Sequence, residues 1–500
     1  MQFIWYDYET FGLNLRHTRV AQFAAIVTDE AFNPIPVPAM QSASVNQTQN
    51  ESCDKSVVLY GKLPDDLIPQ PEATLITGIT PQEANEKGLT EAALSERIYH
   101  LFNQPGSCIV GYNNIRFDDE LTRFMFYRNL YDSYSHEYRN YNSRWDLLDT
   151  VRFIHALAPQ TLNWPKNREG NVSFKLEHLS EANGLMHNKA HDALSDVEAT
   201  IALAKILKSK QPKLFDYAFQ LRKKACVRRC VAKHQNQALL HISGRIPAYQ
   251  GHADLVYPLA QDKQNPNKIY VLGLHSDIDF LLEAKIAELK AHLFTKTEAL
   301  ELEQQERRIR LKGVYLNRSP ILAPASWLDQ LRSEQLNINI ACCQANLNKL
   351  VQLSTKEKNA LADKIEQIFT LTEDDTQNID VEQQLYSGAF LSDQDKHTLG
   401  QVHQTPVDVL AHKTFNFTDA RLPELLWRYR ARNFAETLTT EEQQKWEAER
   451  QSRMTTNPLY NLDHFCNEWA NLYEQNKNDP EKHTLLKAVK DYVKDLFKGF

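Results

Sequence analysis

Residues 3–12 read FIWYDYETFG, and this stretch sets the reading of the whole chain. A short apolar run, Phe3-Ile4-Trp5, leads into two acidic residues two apart. Along a strand, side chains alternate between faces, so residues i and i+2 share one face. Asp7 and Glu9 are therefore expected side by side at a strand end, where two carboxylates can share a hard divalent cation. An isolated D-x-E is also an ordinary solvated strand end. The remaining acidic residues decide between the two.

Working outward, residues 1 to about 205 alternate strand and helix signals. Ala21 to Val27 is a second apolar strand. Thr77-Gly78-Ile79-Thr80-Pro81 is a turn opening a helix, with Pro81 at a favoured first position. Cys108 to Tyr112 is a buried strand, and Phe117 to Tyr131 follows with helical periodicity. From Ala193 the residues Leu194, Val197, Ile201, Ala204 and Leu207 recur at helical spacing. Interleaved strands and helices imply an α/β region with a mixed sheet. Asp118, in GYNNIRFDDE, falls just past a strand at the mouth of a helix, where α/β sheets place ligand groups. His191 and Asp196, in AHDALSDVEAT, open the long helix, with Asp192 as its cap. Taken singly, each of these is an ordinary capping or dipole-complementing residue.

Taken together they form an ordered set: D-x-E-T, then N-x-x-x-F-D, then H-x-x-x-x-D. The set resembles the signature of the DEDDh exonucleases, which implies phosphodiester hydrolysis. That chemistry suits the residue types. Two divalent cations ~3.5–4 Å apart offset the developing charge and make a hydroxide available at neutral pH. Mg²⁺ prefers oxygen ligands, and an imidazole that titrates near neutrality can accept the proton of the attacking water. Asp7, Glu9 and Asp196 are expected to bind metal directly, Asp118 directly or through water, with His191 as general base. Two Mg²⁺ ions are expected, with Mn²⁺ able to substitute.

The similarity extends further. LITGITPQEA, YRNLYD, NSRWDLLD, FKLEHLSEANG, QPKLFDY, QLYSGAF and RYRARNF resemble bacterial exonuclease I, over residues 1 to about 435. The resemblance implies an RNase H-like DEDDh exonuclease domain (1–205), an SH3-like β domain (206–352) and a C-terminal helical domain (353–500), arranged in a C shape around single-stranded DNA. It implies a 3′→5′ exodeoxyribonuclease releasing 5′-mononucleotides, active in DNA repair and recombination. By the same resemblance Glu9, Arg123, Tyr134, Tyr138, Arg152 and Lys175 contact the strand. Lys175 stands where arginine is expected, so charge is kept but bidentate geometry is lost. Arginine among aromatics between Arg123 and Tyr138 also suits phosphate neutralisation and base stacking. The acidic tail of single-stranded-DNA-binding protein is expected near Tyr217, Lys223 and Lys224, in and beside the basic run LRKKACVRRCVAK.

Downstream, HISGRIPAYQG, LVYPLA and KIYVLGL read as short strands of a small barrel-like region. Glu298 to Lys312 is helix-favouring, and the chain from about Lys356 is mostly helical. Ala39 to Tyr60 is polar and reads as a surface loop. The net charge of −7 leaves room for a local basic groove. Seven irregularly spaced cysteines match no zinc ribbon or finger and are expected as reduced thiols. No secretory leader or membrane span is evident, so a cytoplasmic monomer is expected. Two other readings remain. One is an RNA-directed DEDDh exonuclease, a class whose members are far shorter. The other is a catalytically inactive single-strand-binding scaffold, which an intact acidic set argues against.

Overall fold

The computed structural model describes residues 1–38, 54–185, 191–295, 308–370 and 379–498. It divides into two compact units, which the chain enters more than once. The first comprises Met1–Ser143, His187–Ile201 and Thr376–Phe500; the second comprises Arg144–Met186 and Ala202–Asp375.

The first unit is built on a mixed sheet of β1 (Gln2–Thr10), β2 (Val20–Thr28), β3 (Ser56–Tyr60), β4 (Ser107–Gly111) and β5 (Ser143–Asp146), in the order β3-β2-β1-β4-β5. β5 lies where the chain leaves this unit. β1 is antiparallel to β2 and parallel to β4. Alternation sorts the β1 side chains. Ile4, Tyr6 and Tyr8 join Phe23, Ala25 and Leu59 in a core closed by the helices Glu91–Phe102 and Asp118–Arg128. Phe3 and Trp5 face the other way, packed edge-on against Phe32, and Asp7 and Glu9 follow them. The acidic pair lies in the last four residues of β1, at the strand end as expected. Pairing with β2 runs on through Asp7↔Ala24 and Glu9↔Gln22, and the register shifts only between Glu9 and Thr10.

The polar Ala39–Tyr60 stretch is a loop only in part. Ser56–Tyr60 is the edge strand β3, while residues 39–53 lie outside the described residues.

The C-terminal segment of this unit is helical and belongs to its interior. Leu399, Val402, Leu422, Leu425 and Tyr429 pack with Ala92, Tyr127 and Leu130. The last helix, Pro480–Leu496, sets Val489 and Val493 against Ile68. Between these apolar clusters lies a buried ionic network. Asp66, fully buried, accepts two hydrogen bonds from Arg432, at 3.0 and 2.8 Å, and pairs with Arg453 at 3.0 Å. Glu382 pairs with Arg432, with Arg19 at 3.2 Å and with Arg453 at 3.2 Å. Arg19 and Arg128 meet Glu91 at 3.3 and 2.6 Å. The arginines of RYRARNF are thus consumed by internal ion pairs, Arg430 pairing with Glu442 at 3.0 Å.

The second unit holds an antiparallel sheet of β6 (Leu239–Ile242), β7 (Ala253–Gln261), β8 (Lys268–Gly273), β9 (Leu311–Tyr315) and β10 (Ile321–Pro324), ordered β10-β6-β7-β8-β9. Its core joins Leu240, Val256, Val271 and Leu322 to Phe153 and to Ile365 of the helix Thr355–Phe369. Of the helix-favouring Glu298–Lys312 stretch, residues 298–307 lie outside the described residues, and Leu311 and Lys312 open β9 because their backbone completes the ladder to Leu272 and Val271. Among the described residues, no helix is long and apolar enough to cross a membrane.

Candidate active site

Three elements of the first unit converge on one acidic centre. β1 supplies Asp7 and Glu9, the start of the Asp118–Arg128 helix supplies Asp118, and the start of the Ala193–Lys210 helix supplies Asp196, with His191 just before it. One ligand atom each from Glu9, His191 and Asp196 lies within 4.8 Å of the others. Glu9 and Asp118 are buried, at 7% and 4% exposure, while Asp7, His191 and Asp196 are half-buried.

Each group is placed by a local device. β4 ends at Gly111, where a Cβ would sit 2.7 Å from Asn114 Cβ and 3.2 Å from the Tyr6 carbonyl oxygen. The next bend, at Asn113 (φ 66), leads into the Asp118 helix. Asp119, beside Asp118, points inward and accepts hydrogen bonds from Tyr6 Oη (2.6 Å) and Asn114 Nδ2 (3.1 Å). The Thr122 hydroxyl donates to the Asp118 carbonyl (2.8 Å). At the third element, Asp192 caps the helix through Ser195 N–H (3.3 Å), and its carbonyl accepts from Asp196 N–H (3.0 Å). His191 sits in the left-handed region, φ 61, a conformation that costs a non-glycine residue ~1–3 kcal/mol and tends to mark functional sites.

Crowding of carboxylates dominates the electrostatics. Burial holds the Asp7 carboxyl well above its ordinary range, and Asp118, Glu9 and Asp196 push it in the same direction. Burial, Asp196 and Asp192 raise Glu9 to about 8. Such a cluster at neutral pH must hold either protons or a cation. Oxygen donors with one nearby imidazole suit a hard divalent ion, so these residues fit a metal.

The five expected catalytic residues therefore come together. The expected strand contacts divide between the units. In the first, Tyr138 is 58% exposed, while Arg123 is buried and ion-paired to Glu137 (2.7 Å) and Glu120 (3.3 Å), its guanidinium 5.5 Å from the Tyr134 ring centre. In the second, Arg152 pairs with Asp149 (2.7 Å) over Phe174, and Lys175 is exposed, 3.4 Å from Glu177. Tyr217 donates to the Leu322 carbonyl (2.8 Å) and packs edge-on against Trp327. Lys223 is exposed, and Lys224 binds Asn267 Oδ1 at 2.7 Å.

Sequence reasoning passed over Gln22, whose buried amide reaches the backbone of Ala193 at 3.0 Å. The signal was there: one polar residue inside the apolar strand VAQFAAIVT. The inward role of Asp119 needed Tyr6, 113 positions away.

Three family models match the chain: Exonuclease over residues 4–204, Exonuclease I SH3-like domain over 222–371, and Exonuclease I C-terminal domain over 379–496. The chain is 42% identical to exodeoxyribonuclease I of Escherichia coli (strain K12), covering 99% of this chain and 98% of that protein. It is 41% identical to exodeoxyribonuclease I of Haemophilus influenzae, covering 98% of each. Among solved structures, E. coli exonuclease I in complex with a dA16 oligonucleotide superposes with a TM-score of 0.89 at 41% identity, covering 99% of both chains. The zinc-bound form of an E. coli exonuclease I–single-stranded DNA complex gives 0.88 at 41% identity, and an SSB/exonuclease I structure with an inhibitor gives 0.85 at 40%, each covering 99% of both chains.

Proposed function

The chain belongs to the exonuclease I family, and from that premise we propose that its acidic centre hydrolyses the 3′-terminal phosphodiester of single-stranded DNA. The observation that carries this reading is the convergence of Glu9, His191 and Asp196 within 4.8 Å, with Asp118 close enough to Asp7 to help raise its carboxyl above the ordinary range. The chain is an exodeoxyribonuclease with a 3′→5′ direction. The remaining details are our assignment.

Asp7, Glu9 and Asp196 would hold two Mg²⁺ ions, with Asp118 binding directly or through water. When bound, the ions offset charge developing on the phosphoryl oxygens and acidify the attacking water. His191 takes the proton of that water; its imidazole faces the Glu9 and Asp196 carboxylates at a separation one water can bridge. The strained backbone at His191 supports this role, because the ring is aimed by the fold and not by helical geometry. A hard ion favours oxygen over nitrogen, so the carboxylates and not the imidazole would ligate it.

Tyr138 stacks on a base, and Lys175 and Arg152 neutralise phosphate. Tyr134 contributes its ring face. Arg123 acts at one remove, because its two carboxylate partners already neutralise it and it is buried. Tyr217, Lys223 and Lys224 receive the acidic tail of single-stranded-DNA-binding protein, a reading supported by the exposed Lys223 and by the edge-on contact of half-buried Tyr217 with exposed Trp327. We take 1–205, 206–352 and 353–500 as the sequence domains of a cytoplasmic monomer that serves DNA repair and recombination.

Digestion of a 5′-labelled and a 3′-labelled single strand, with Mg²⁺ or EDTA, tests the reading. A ladder shrinking from the 3′ end, absent with EDTA and absent in Asp196→Ala, is expected. Equal cleavage of an RNA strand, or activity surviving in Asp196→Ala, contradicts it.

A further inference from the structure

Gln22 lies opposite Glu9 in the β1–β2 ladder and opposite Tyr60 in the β2–β3 ladder. Its side chain is 2% exposed and makes three tertiary contacts. Oε1 accepts the Ala193 N–H at 3.0 Å; Nε2 donates to Tyr60 Oη at 3.0 Å and to Asp192 Oδ2 at 3.5 Å. The amide orientation is set by this network, since a backbone N–H can only donate.

We infer that Gln22 is a positioning residue of the metal-binding centre, locking the first turn of the Ala193–Lys210 helix to the sheet that carries Glu9. The inference rests on the proposed function of that centre and names a further residue on which it depends. A helix leaves its first N–H groups without intrahelical partners. Asp192 serves Ser195 N–H and Asp196 N–H from within the same turn. Ala193 is fully buried, and its N–H finds an acceptor only by crossing to β2. That crossing ties His191 and Asp196, on either side of Ala193, to the strand facing Glu9. The second contact, from Nε2 to the Asp192 carboxylate, steadies the cap itself. Nothing in the helix sequence fixes where its first turn lies over the sheet, and His191 is held at φ 61 against its own preference. Glutamine is the side chain that supplies an acceptor and two donors here without adding a charge among carboxylates.

The experiment uses the full chain with Gln22→Met and Gln22→Glu. Mn²⁺ affinity is measured without DNA, from the electron paramagnetic resonance signal of the free ion. The kcat and KM for an oligo-dT are measured against Mg²⁺, and melting is followed in EDTA. For Gln22→Met, Mn²⁺ affinity and kcat are each expected to fall ~10- to 100-fold, as for other groups that orient metal ligands, with KM for DNA unchanged. Gln22→Glu keeps the acceptor for Ala193 N–H and loses both donors, so its kcat is also expected to fall, again with KM unchanged. Wild-type Mn²⁺ affinity and kcat in Gln22→Met, with only the melting temperature lowered, would show a structural role alone and overturn the inference. Should that variant fail to fold, a wild-type kcat in Gln22→Glu overturns it equally. If the unaltered chain binds Mn²⁺ but cleaves no single strand, the proposed function falls, and the Mn²⁺ affinities alone decide the role of Gln22.

Discussion

Asp66→Asn should unfold the first unit several degrees earlier than the unaltered protein. The substitution keeps the shape and removes the charge at a site with no solvent access. Asp66 accepts two hydrogen bonds from Arg432 and one ion pair from Arg453, and both arginine side chains are themselves buried. An amide presents an NH₂ where a second acceptor oxygen stood, so donor meets donor. Glu382 is then left as the carboxylate facing Arg432, while it shares Arg19 with Glu91 and Arg453 with Asp380. Removing one partner of a buried pair costs about 3–5 kcal/mol, mostly because the other charge stays buried. For a unit of roughly 280 residues, an unfolding entropy near 2.1 cal/mol/K per residue gives about 0.6 kcal/mol/K. The melting temperature should therefore drop by about 5–8 °C. The arginines hold the Asp66 carboxyl well below its ordinary range despite its burial. Its contribution is therefore full above the unfolded value near 4 and is lost as pH falls further, through the depressed folded value. The gap between the two proteins should stay constant from about pH 8 to 5 and close below about pH 4. Calorimetry in EDTA measures this, with the exposed pair Glu83–Lys87 disrupted by Glu83→Gln as control, expected to move the melting temperature little because solvent screens the pair. A shift no larger than the control's, or a gap that widens in acid, would refute the reasoning.

Other outcomes follow from the acidic centre and its surroundings. Glu9 is raised to about 8, so without metal the folded chain keeps a proton that the unfolded chain releases near pH 4.5, and stability falls as pH rises between the two. Metal binding must expel that proton; the melting-temperature gain from Mg²⁺ should grow from pH 6 to 8.5, and a gain independent of pH would count against the assignment. Asp7→Ala should abolish cleavage yet melt no lower than the unaltered protein in EDTA, because it removes a carboxyl crowded by Asp118, Glu9 and Asp196; clear Mg²⁺-dependent activity in this variant would remove Asp7 from the metal set. His191→Ala should slow hydrolysis ~10²–10⁴-fold, the usual worth of a general base, with partial recovery at higher pH. A peptide copying the acidic tail of single-stranded-DNA-binding protein should bind more weakly with added salt, since exposed charges are screened beyond about 8–10 Å, and Lys223→Glu should weaken it further; binding insensitive to both would place the tail elsewhere.

The sequence alone determined the parts of this protein that depend on short-range rules. Alternation along a strand put Asp7 and Glu9 on one face, and a capping pattern put His191 and Asp196 at the mouth of a helix. The spacing of these motifs, with Asp118 between them, was enough to name the chemistry. The tertiary structure decided what no local rule reaches. Whether a charge is exposed or buried depends on partners hundreds of positions away. RYRARNF resembles any basic helical stretch until Asp66 and Glu382 are found against it, and the pairing of Arg123 with Glu120 and Glu137 is visible only in the fold. The same holds for domain division. The sequence places every catalytic group before residue 205 and makes the rest separable, yet the C-terminal helices supply core residues and counter-charges to the unit that bears the site. Gln22 shows the limit most clearly. A single glutamine in an apolar strand signals an obligation, because a buried amide must find partners. Only the folded chain shows that the obligation is met at Ala193, on the helix that carries Asp196.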